Sequence, residues 1–315
     1  MVTRWPGNKK FAFTILDDAD CNTLQNNSIV YDFLNGLGFK TTKTVWIFDG
    51  EIREDNRQDI GVTCEDRNFL DWVLKLKKQG FEIALHSASW SPSPRQKIIE
   101  ALDTFKSYFG EDPKVLAQHA DTLPNEAIYW GAGRLSGLHR KIYDAIAQIK
   151  REQRNIYLGD SKDSPYFWGD VCRQRIKYVR NFVYSDINTL KACPFQPYHD
   201  PHRPYVRYWF TSTEGPEVNS FCSSLSLENQ QRLEEEGGAC IMYTHFAKNF
   251  AVDGKLNSNF KGLMERLAKR EGWFVPVSEL LDYLLKQNGE HILSNAERAG
   301  LERKWLWHKI KVGSS

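Results

Sequence analysis

Short apolar runs that alternate with longer segments of helical periodicity constrain the fold of this 315-residue chain most strongly. Residues 11–16, 81–85 and 239–243 have the length and apolar character of buried strands. Residues 68–78 and 96–109 instead repeat their apolar positions three and four residues apart, as helices do. Such alternation is typical of parallel strands joined by helical crossovers. We therefore expect an α/β fold, and the number of strand–helix units favours a closed barrel over a thin open sheet.

The remaining elements follow the same alternation. Further strands are predicted at 41–48, 115–118, 176–184 and 207–210, and further helices at 28–37, 138–153, 227–236, 260–270 and 278–286. Residues 193–204 hold four of the twelve prolines, which predicts a long irregular loop. Residues 290–311 predict a helix packed on the outside of the barrel. The expected organisation is a barrel domain over residues 1–289 and a C-terminal helical tail over 290–315.

Charge and cysteine content exclude several classes of protein. The chain has 42 Lys and Arg against 40 Asp and Glu, and this balance gives no electrostatic reason to bind nucleic acid. Apolar runs are too short for a membrane span, and the first residues lack the apolar core of a signal peptide. The six cysteines are scattered without a CxxC pair, which is typical of reduced thiols. We expect a cytoplasmic protein.

Polar side chains that can bind a metal ion follow four of the predicted strands. They are Asp17, Asp18, Asp20, His86, His119 and His245. The carboxyl ends of the strands form one face of a parallel α/β barrel, and that face carries the active site. One such residue alone is better explained as a helix cap or a contact with a neighbouring loop, but residues at four strand ends together favour a site.

The chemistry that these residue types offer is specific. One Asp carboxylate and two imidazoles form a three-ligand site that binds zinc and leaves a position for water. A second carboxylate can take a proton from that water, and a further His can protonate a leaving group. In an extended chain Asp17 and Asp18 point in opposite directions, so one can ligate while the other acts as base. An oxygenase iron site uses similar ligands, but it is typical of all-β jelly rolls.

Three segments together resemble one known family. Residues 14–18 read Thr-Ile-Leu-Asp-Asp, residues 80–87 read Gly-Phe-Glu-Ile-Ala-Leu-His-Ser, and residues 242–245 read Met-Tyr-Thr-His. In order and spacing they are similar to the first, second and last motifs of the polysaccharide deacetylase (NodB-homology, carbohydrate esterase family 4) proteins. The resemblance spans about residues 10–285. It implies an irregular (β/α)7 barrel of NodB-homology type, here with a C-terminal helical extension.

The resemblance also implies roles for individual residues. Asp17 corresponds to the general base, Asp18 and His86 to metal ligands, and His245 to the general acid. The family usually has a second metal His four residues after the first, where this chain has Trp90. We expect His119 to supply the missing imidazole; alternatively Ser89, His199 or a water molecule fills that place and His119 positions the substrate.

A second departure concerns the third motif, which usually reads Arg-Pro-Pro and here reads Ala-Gln-His-Ala-Asp at 117–121. Arg180, on a later strand, is the candidate to replace the lost arginine that orients the base. Trp90, Trp130 and Trp168, together with Arg180, are the candidate substrate-binding residues, because flat aromatic faces suit sugar rings. The other interpretation is that these tryptophans fill the core under long loops.

The resulting functional hypothesis is a metal-dependent hydrolase with zinc or a similar divalent ion. It would remove an N-acyl group, acetyl or formyl, from a sugar of a surface-polysaccharide or O-antigen precursor, which makes a carbohydrate the expected partner. The two departures leave a second interpretation open, a glycan-binding deacetylase-like protein without turnover.

Overall fold

A computed structural model describes residues 5–52, 59–119, 124–149 and 156–312. Within these residues the strands are β1 (Phe11–Asp17), β2 (Thr42–Trp46), β3 (Glu82–Ser87), β4 (Val115–Leu116), β5 (Tyr178–Tyr184), β6 (Tyr198–His199), β7 (Tyr208–Glu214), β8 (Ala239–Thr244), β9 (Ala251–Val252), β10 (Lys255–Leu256), β11 (Gly272–Phe274) and β12 (His291–Ile292). All seven strands that the sequence predicts are present, as β1–β5, β7 and β8.

Seven of these strands close into a parallel barrel in the order β1-β2-β3-β4-β5-β7-β8. Closure comes from β8, which pairs in parallel with β1 on one side and with β7 on the other. The expectation of a (β/α)7 barrel is confirmed. Outside the ring, β11 pairs in parallel with the start of β1, while β6 pairs antiparallel with β7 and parallel with β12.

The helices surround this ring. They are α1 (Leu24–Gly36), α2 (Arg67–Lys78), α3 (Arg95–Phe109), α4 (Gly137–Ile149), α5 (Gly169–Arg175), α6 (Thr189–Ala192), α7 (Val218–Ser224), α8 (Leu227–Glu235), α9 (Ser258–Ala268), α10 (Val277–Asn288) and α11 (Asn295–Val312). The end of the helix predicted at 138–153 lies outside the described residues. No helix in the described ranges combines the length and the apolar character that crossing a membrane requires.

The proline-rich segment 193–204 departs from the prediction of a wholly irregular loop. It contains β6, whose two residues pair with both β7 and β12. The prediction was wrong there because a two-residue strand is set by its distant partners and leaves no periodicity in the sequence.

Side chains alternate between the inside and the outside of the barrel, and this alternation positions the site. On β1, Phe11, Phe13 and Ile15 pack in the large cluster formed with the surrounding helices. Ala12 and Leu16 instead belong to a second cluster that fills the interior. The interior cluster combines small side chains with large ones, which together fill the inside of the barrel. The small ones include Ala84 and Ala239, and the large ones include Tyr178 and Phe210.

Helix α10 covers the amino-terminal end of the barrel. The backbone N–H groups of Val277 and Ser278 donate to side chains at the starts of β2 and β3, Thr42 (2.9 Å) and Glu82 (3.1 Å). Leu281, in the same helix, packs in the interior cluster. The opposite, carboxyl-terminal end therefore remains for the site.

Helix α11 packs against α4 and β5. Its Arg298 donates to Asp200 from Nε (2.9 Å) and Nη2 (2.7 Å), and both side chains are buried. This ion pair connects the helix to the segment that contains β6. The division of the chain into 1–289 and 290–315 stays a prediction.

Candidate active site

Five acidic and imidazole side chains meet at the carboxyl-terminal end of the barrel. Along β1 and the residues after it, the positions that share a side with Ala12 and Leu16 are Asp18 and Asp20, since alternate residues of an extended chain share a face. The same alternation carries the interior face of β3, of β8 and of the residues after β4 to three imidazoles. These are His86, His119 and His245.

Asp20 lies at the centre of this group. Its Oδ2 is 3.1 Å from Nε2 of His86 and 3.1 Å from Nε2 of His245, and its Oδ1 is 3.4 Å from Nε2 of His119. Burial raises the pKa of Asp20, but His86 and His245 lower it more, so that it lies well below its ordinary value. The carboxylate is therefore ionised.

Backbone carbonyl groups fix the orientation of two of these imidazoles. Nδ1 of His86 is 2.7 Å from the oxygen of Ala117, and Nδ1 of His245 is 2.7 Å from the oxygen of Pro216. A carbonyl oxygen only accepts, so each Nδ1 carries the proton that it donates. In the neutral ring this leaves a lone pair on Nε2, directed at the centre of the site. The same arrangement orients histidines that bind metal ions.

Asp18 lies beside Asp20 and is held by one arginine. Nη2 of Arg180 donates to its Oδ2 at 2.8 Å, while its buried Oδ1 has no hydrogen-bond partner among the described residues. One oxygen each of Asp18 and Asp20 and one ring nitrogen of His86 lie within 4.8 Å of one another. Two carboxylates, one of which has an oxygen without a hydrogen-bond partner among the described residues, and imidazole nitrogens with lone pairs form a donor set that fits a divalent ion such as zinc.

Asp17 lies on the other side of the strand, outside the barrel. Its Oδ2 accepts from Nζ of Lys43 (2.9 Å) and from the hydroxyl of Tyr31 (3.0 Å), and its Oδ1 accepts from the N–H of Phe246 (2.7 Å). The side chain is 0% exposed, and burial raises the pKa of Asp17 above its ordinary value, although the charge of Lys43 opposes this. The partners of Asp17 are thus Lys43, Tyr31 and the backbone of Phe246.

The predicted substrate-binding tryptophans occupy different environments. Trp90 is buried with its ring 6.0 Å from that of Trp46. Trp168 is buried and donates from Nε1 to the carbonyl oxygen of Glu126 at 2.7 Å. Trp130 is half-buried, and the guanidinium of Arg134 lies 3.4 Å from its ring centroid. Of the three, Trp130 alone keeps a substantial exposed surface.

The two side chains considered as alternatives to His119 make other contacts. Nδ1 of His199 is 3.3 Å from Nη1 of Arg173, outside the barrel on β6. Oγ of Ser89 lies 3.2 Å from Oγ of Ser93, in the loop after β3. His119 instead contacts Asp20, with its ring 5.4 Å from that of His86.

Sequence reasoning gave no role to Glu126, which supports the loop after His86. This buried carboxyl group accepts hydrogen bonds from the hydroxyl of Ser87 and from the N–H of Ser93, the second at 3.0 Å. Burial raises its pKa to about 7. Nothing in the sequence near Glu126 indicates this contact, because its partners lie more than 30 residues away.

We expect Glu126→Gln to remove a pH dependence of stability. The folded state holds the Glu126 proton more tightly than the unfolded chain, so the associated stability is full at low pH and is lost as pH rises through about 7. The amide does not titrate, and the free energy of unfolding of the variant should fall less over this range. Urea unfolding from pH 5 to 8 measures it, with the exposed Glu228→Gln as control. Parallel profiles of parent and variant would contradict this.

No family model matches the chain, and no curated protein matches it. Three solved structures are similar to it over most of its length. The first is a candidate polysaccharide deacetylase from Mycobacterium smegmatis (12% identity, 93% of this chain and 96% of that chain, TM-score 0.48). The second is the peptidoglycan deacetylase PdaC from Bacillus subtilis (14%, 95% and 98%, 0.41). The third is the Xyl-CE4 domain of a xylanase from the hindgut metagenome of Trinervitermes trinervoides (14%, 91% and 98%, 0.37). Each carries the name of a deacetylase or of a carbohydrate esterase family 4 (CE4) domain, the family that this chain resembles.

Proposed function

We propose that this protein is a metal-dependent hydrolase that removes an N-acyl group from a sugar. The observation that carries the proposal is the meeting of two carboxylates and three imidazoles at the carboxyl-terminal mouth of the barrel. That mouth is where parallel α/β barrels hold their active sites. A positioned carboxylate can act as general base and a positioned imidazole as general acid, which are the two proton-transfer roles that amide hydrolysis uses.

In this proposal Asp20, His86 and His119 hold the ion, with zinc as the best match to one carboxylate and two imidazoles. When bound, the ion would supply an activated water molecule and polarise the acyl carbonyl group. The sequence motif assigns the ligand carboxylate to Asp18. We prefer Asp20, because it is the carboxylate that contacts all three imidazoles.

Asp18 takes the role of general base. Its Oδ2 is held by Arg180, while its Oδ1, which lacks a hydrogen-bond partner in the described part of the chain, is available to accept a proton from water. Arg180 thereby keeps the orienting role that the sequence predicts for it. The base role that the motif implies for Asp17 passes to Asp18, which faces the interior of the barrel.

His245 takes the role of general acid. Burial lowers the pKa of its imidazole, but Asp20 raises it more, so the pKa lies above its ordinary value. Water oxygen bonds to the acyl carbon, its proton passes to Asp18, and the carbon–nitrogen bond breaks. His245 gives its Nε2 proton to the departing nitrogen. The products are a free carboxylic acid and an amino sugar.

The proposed substrate is a precursor sugar of a surface polysaccharide or O-antigen, carrying an acetyl or formyl group. The six cysteines are free thiols, five of them buried, which supports a reducing compartment such as the cytoplasm. The half-buried ring of Trp130 offers an aromatic surface on which a sugar ring can stack.

Metal analysis combined with an acyl-release assay tests the proposal. The purified chain should hold about one divalent ion, as three-ligand catalytic sites do, and should release acetate or formate from N-acetyl- or N-formylhexosamines. Chelation should stop the release and zinc should restore it. A chain that binds neither an ion nor these sugars would overturn the proposal. Sugar binding without acid release would favour the glycan-binding alternative, in line with Trp90 at the position of the family's second histidine.

A further inference from the structure

Arg134 is a buried cation for which the described residues provide no carboxylate. It ends the short helical turn Gly131–Arg134, between β4 and α4, on the same side of the barrel as the site. The side chain is 2% exposed, and its Nε and Nη2 have no hydrogen-bond partner in the part of the chain that the structure describes. Its guanidinium lies 3.4 Å from the ring centroid of Trp130 and 5.5 Å from that of Trp305.

Arg180 is a second buried cation with unused donors. Its Nη2 binds Asp18, but its Nε and Nη1 have no hydrogen-bond partner among the described residues. Its guanidinium lies 4.1 Å from the ring centroid of Tyr243. Burial, followed by the charge of Arg180, lowers the pKa of Arg134 to about 9. The like charge of Arg180 thus acts on Arg134, and within the described ranges Asp18 is the one carboxylate that pairs with either guanidinium group.

Buried donors without acceptors are costly, and native proteins satisfy nearly all of them. Aromatic rings hold both guanidinium groups in place but supply no hydrogen-bond acceptor for their N–H groups. A planar guanidinium presents paired N–H donors that match the oxygens of a carboxylate or phosphate. A ligand that would use these donors is thus an anion with at least two oxygens.

We propose that Arg134 and Arg180 form a binding site for an anionic group of the substrate, a carboxylate, sulfate or phosphate. The inference rests on the proposed function, since it makes the acylated sugar an acidic one. Arg180 would then contact both the base and the substrate anion, which would position the anionic group next to the centre of reaction. The half-buried Trp130 would stack against the same sugar.

Anion binding can be measured without turnover. We expect isothermal titration calorimetry to show that the full chain binds glucuronate at least about tenfold more tightly than neutral glucose. Hydrogen bonds to a charged group account for an affinity difference of at least this size. Titrations with inorganic phosphate and with sulfate distinguish a sugar carboxylate from a phosphate or sulfate group as the preferred anion. The same titrations after chelator treatment should give unchanged affinities, which separates this site from the proposed metal centre.

Substitutions assign the binding to Arg134. Arg134→Met, similar in length but uncharged, should weaken anion binding at least about tenfold, while Arg134→Lys, which keeps the charge but loses the paired donors, should weaken it less. Arg303→Met, at an exposed position of α11, is the control and should bind the anions as the parent does.

Equal anion binding by parent and Arg134→Met, or no preference of the parent for any of the three anions over glucose, would overturn the inference. If Arg134→Met does not fold, the inference is tested by the anion preference of the parent and by the weaker anion binding expected of Arg134→Lys. Metal binding with acyl release but no anion binding would defeat this inference alone.

Discussion

Asp20→Asn is expected to release the metal ion, whereas Asp18→Asn is expected to keep the ion and lose turnover. Asp20 contacts all three imidazoles, while Asp18 is tied to Arg180 and offers one unpartnered oxygen. Loss of a ligand should weaken metal affinity by more than the roughly 10–100-fold that loss of a supporting hydrogen bond costs. Loss of a general base should lower kcat by about 10²–10⁴-fold. Metal analysis and kcat of both variants measure these effects.

Two further variants complete this comparison. His119→Ala should weaken metal affinity as Asp20→Asn does, if His119 is the third ligand. Asp17→Asn is the matched control, because the side chain of Asp17 contacts Tyr31 and Lys43 outside the barrel. The folded fraction of this variant should have the metal content and the kcat of the parent. Equal loss of the ion from Asp18→Asn and Asp20→Asn would show that both carboxylates ligate, and the base would then have to be sought elsewhere.

The sequence located this region, but the resemblance alone does not show which of its carboxylates face the interior of the barrel. The motif resemblance transfers roles to Asp17 and Asp18 by position, and alternation shows only that these two point in opposite directions. The inward face is the one that carries Ala12 and Leu16, which belong to the interior cluster, whereas Phe11 and Phe13 pack with the surrounding helices. Because alternate residues of an extended chain share a face, Asp18 and Asp20 continue this inward face.

Other parts of the site depend on closure of the barrel and leave no local signal. Arg180 and Asp18 are 162 residues apart, and they meet because β5 and β1 stand across the same interior. Arg134 follows a short strand whose loop carries no recognisable motif, so its burial against Trp130 and Trp305 appears only once the chain is folded. The positions of the barrel strands were easier to predict than their bounds, because hydrophobic periodicity is local. The strand predicted at 207–210, for example, runs over Tyr208–Glu214.

The buried pair of Asp17 and Lys43 is expected to be a major determinant of stability. Both side chains are 0% exposed, and Nζ of Lys43 lies 2.9 Å from Oδ2 of Asp17. Lys43→Met would leave the carboxylate in the core with the hydroxyl of Tyr31 and one backbone N–H as its remaining partners. Removal of one member of a buried ion pair typically costs about 3–5 kcal/mol of the free energy of unfolding. Urea unfolding of parent and variant at neutral pH measures the loss.

Two controls separate the pair from simple loss of a lysine. Lys261→Met, which removes an exposed partner 3.8 Å from Glu265 on α9, should change the free energy of unfolding by less than about 1 kcal/mol. Combining Lys43→Met with Asp17→Asn should recover part of the loss, because the second change removes the unpaired charge that makes the first one costly. A loss below about 1 kcal/mol for Lys43→Met would mean that water or a shifted proton compensates Asp17 readily. A large loss with recovery in the double variant would show that Asp17 and Lys43 stabilise the core as a pair, since the cost then comes from the charge left unpaired.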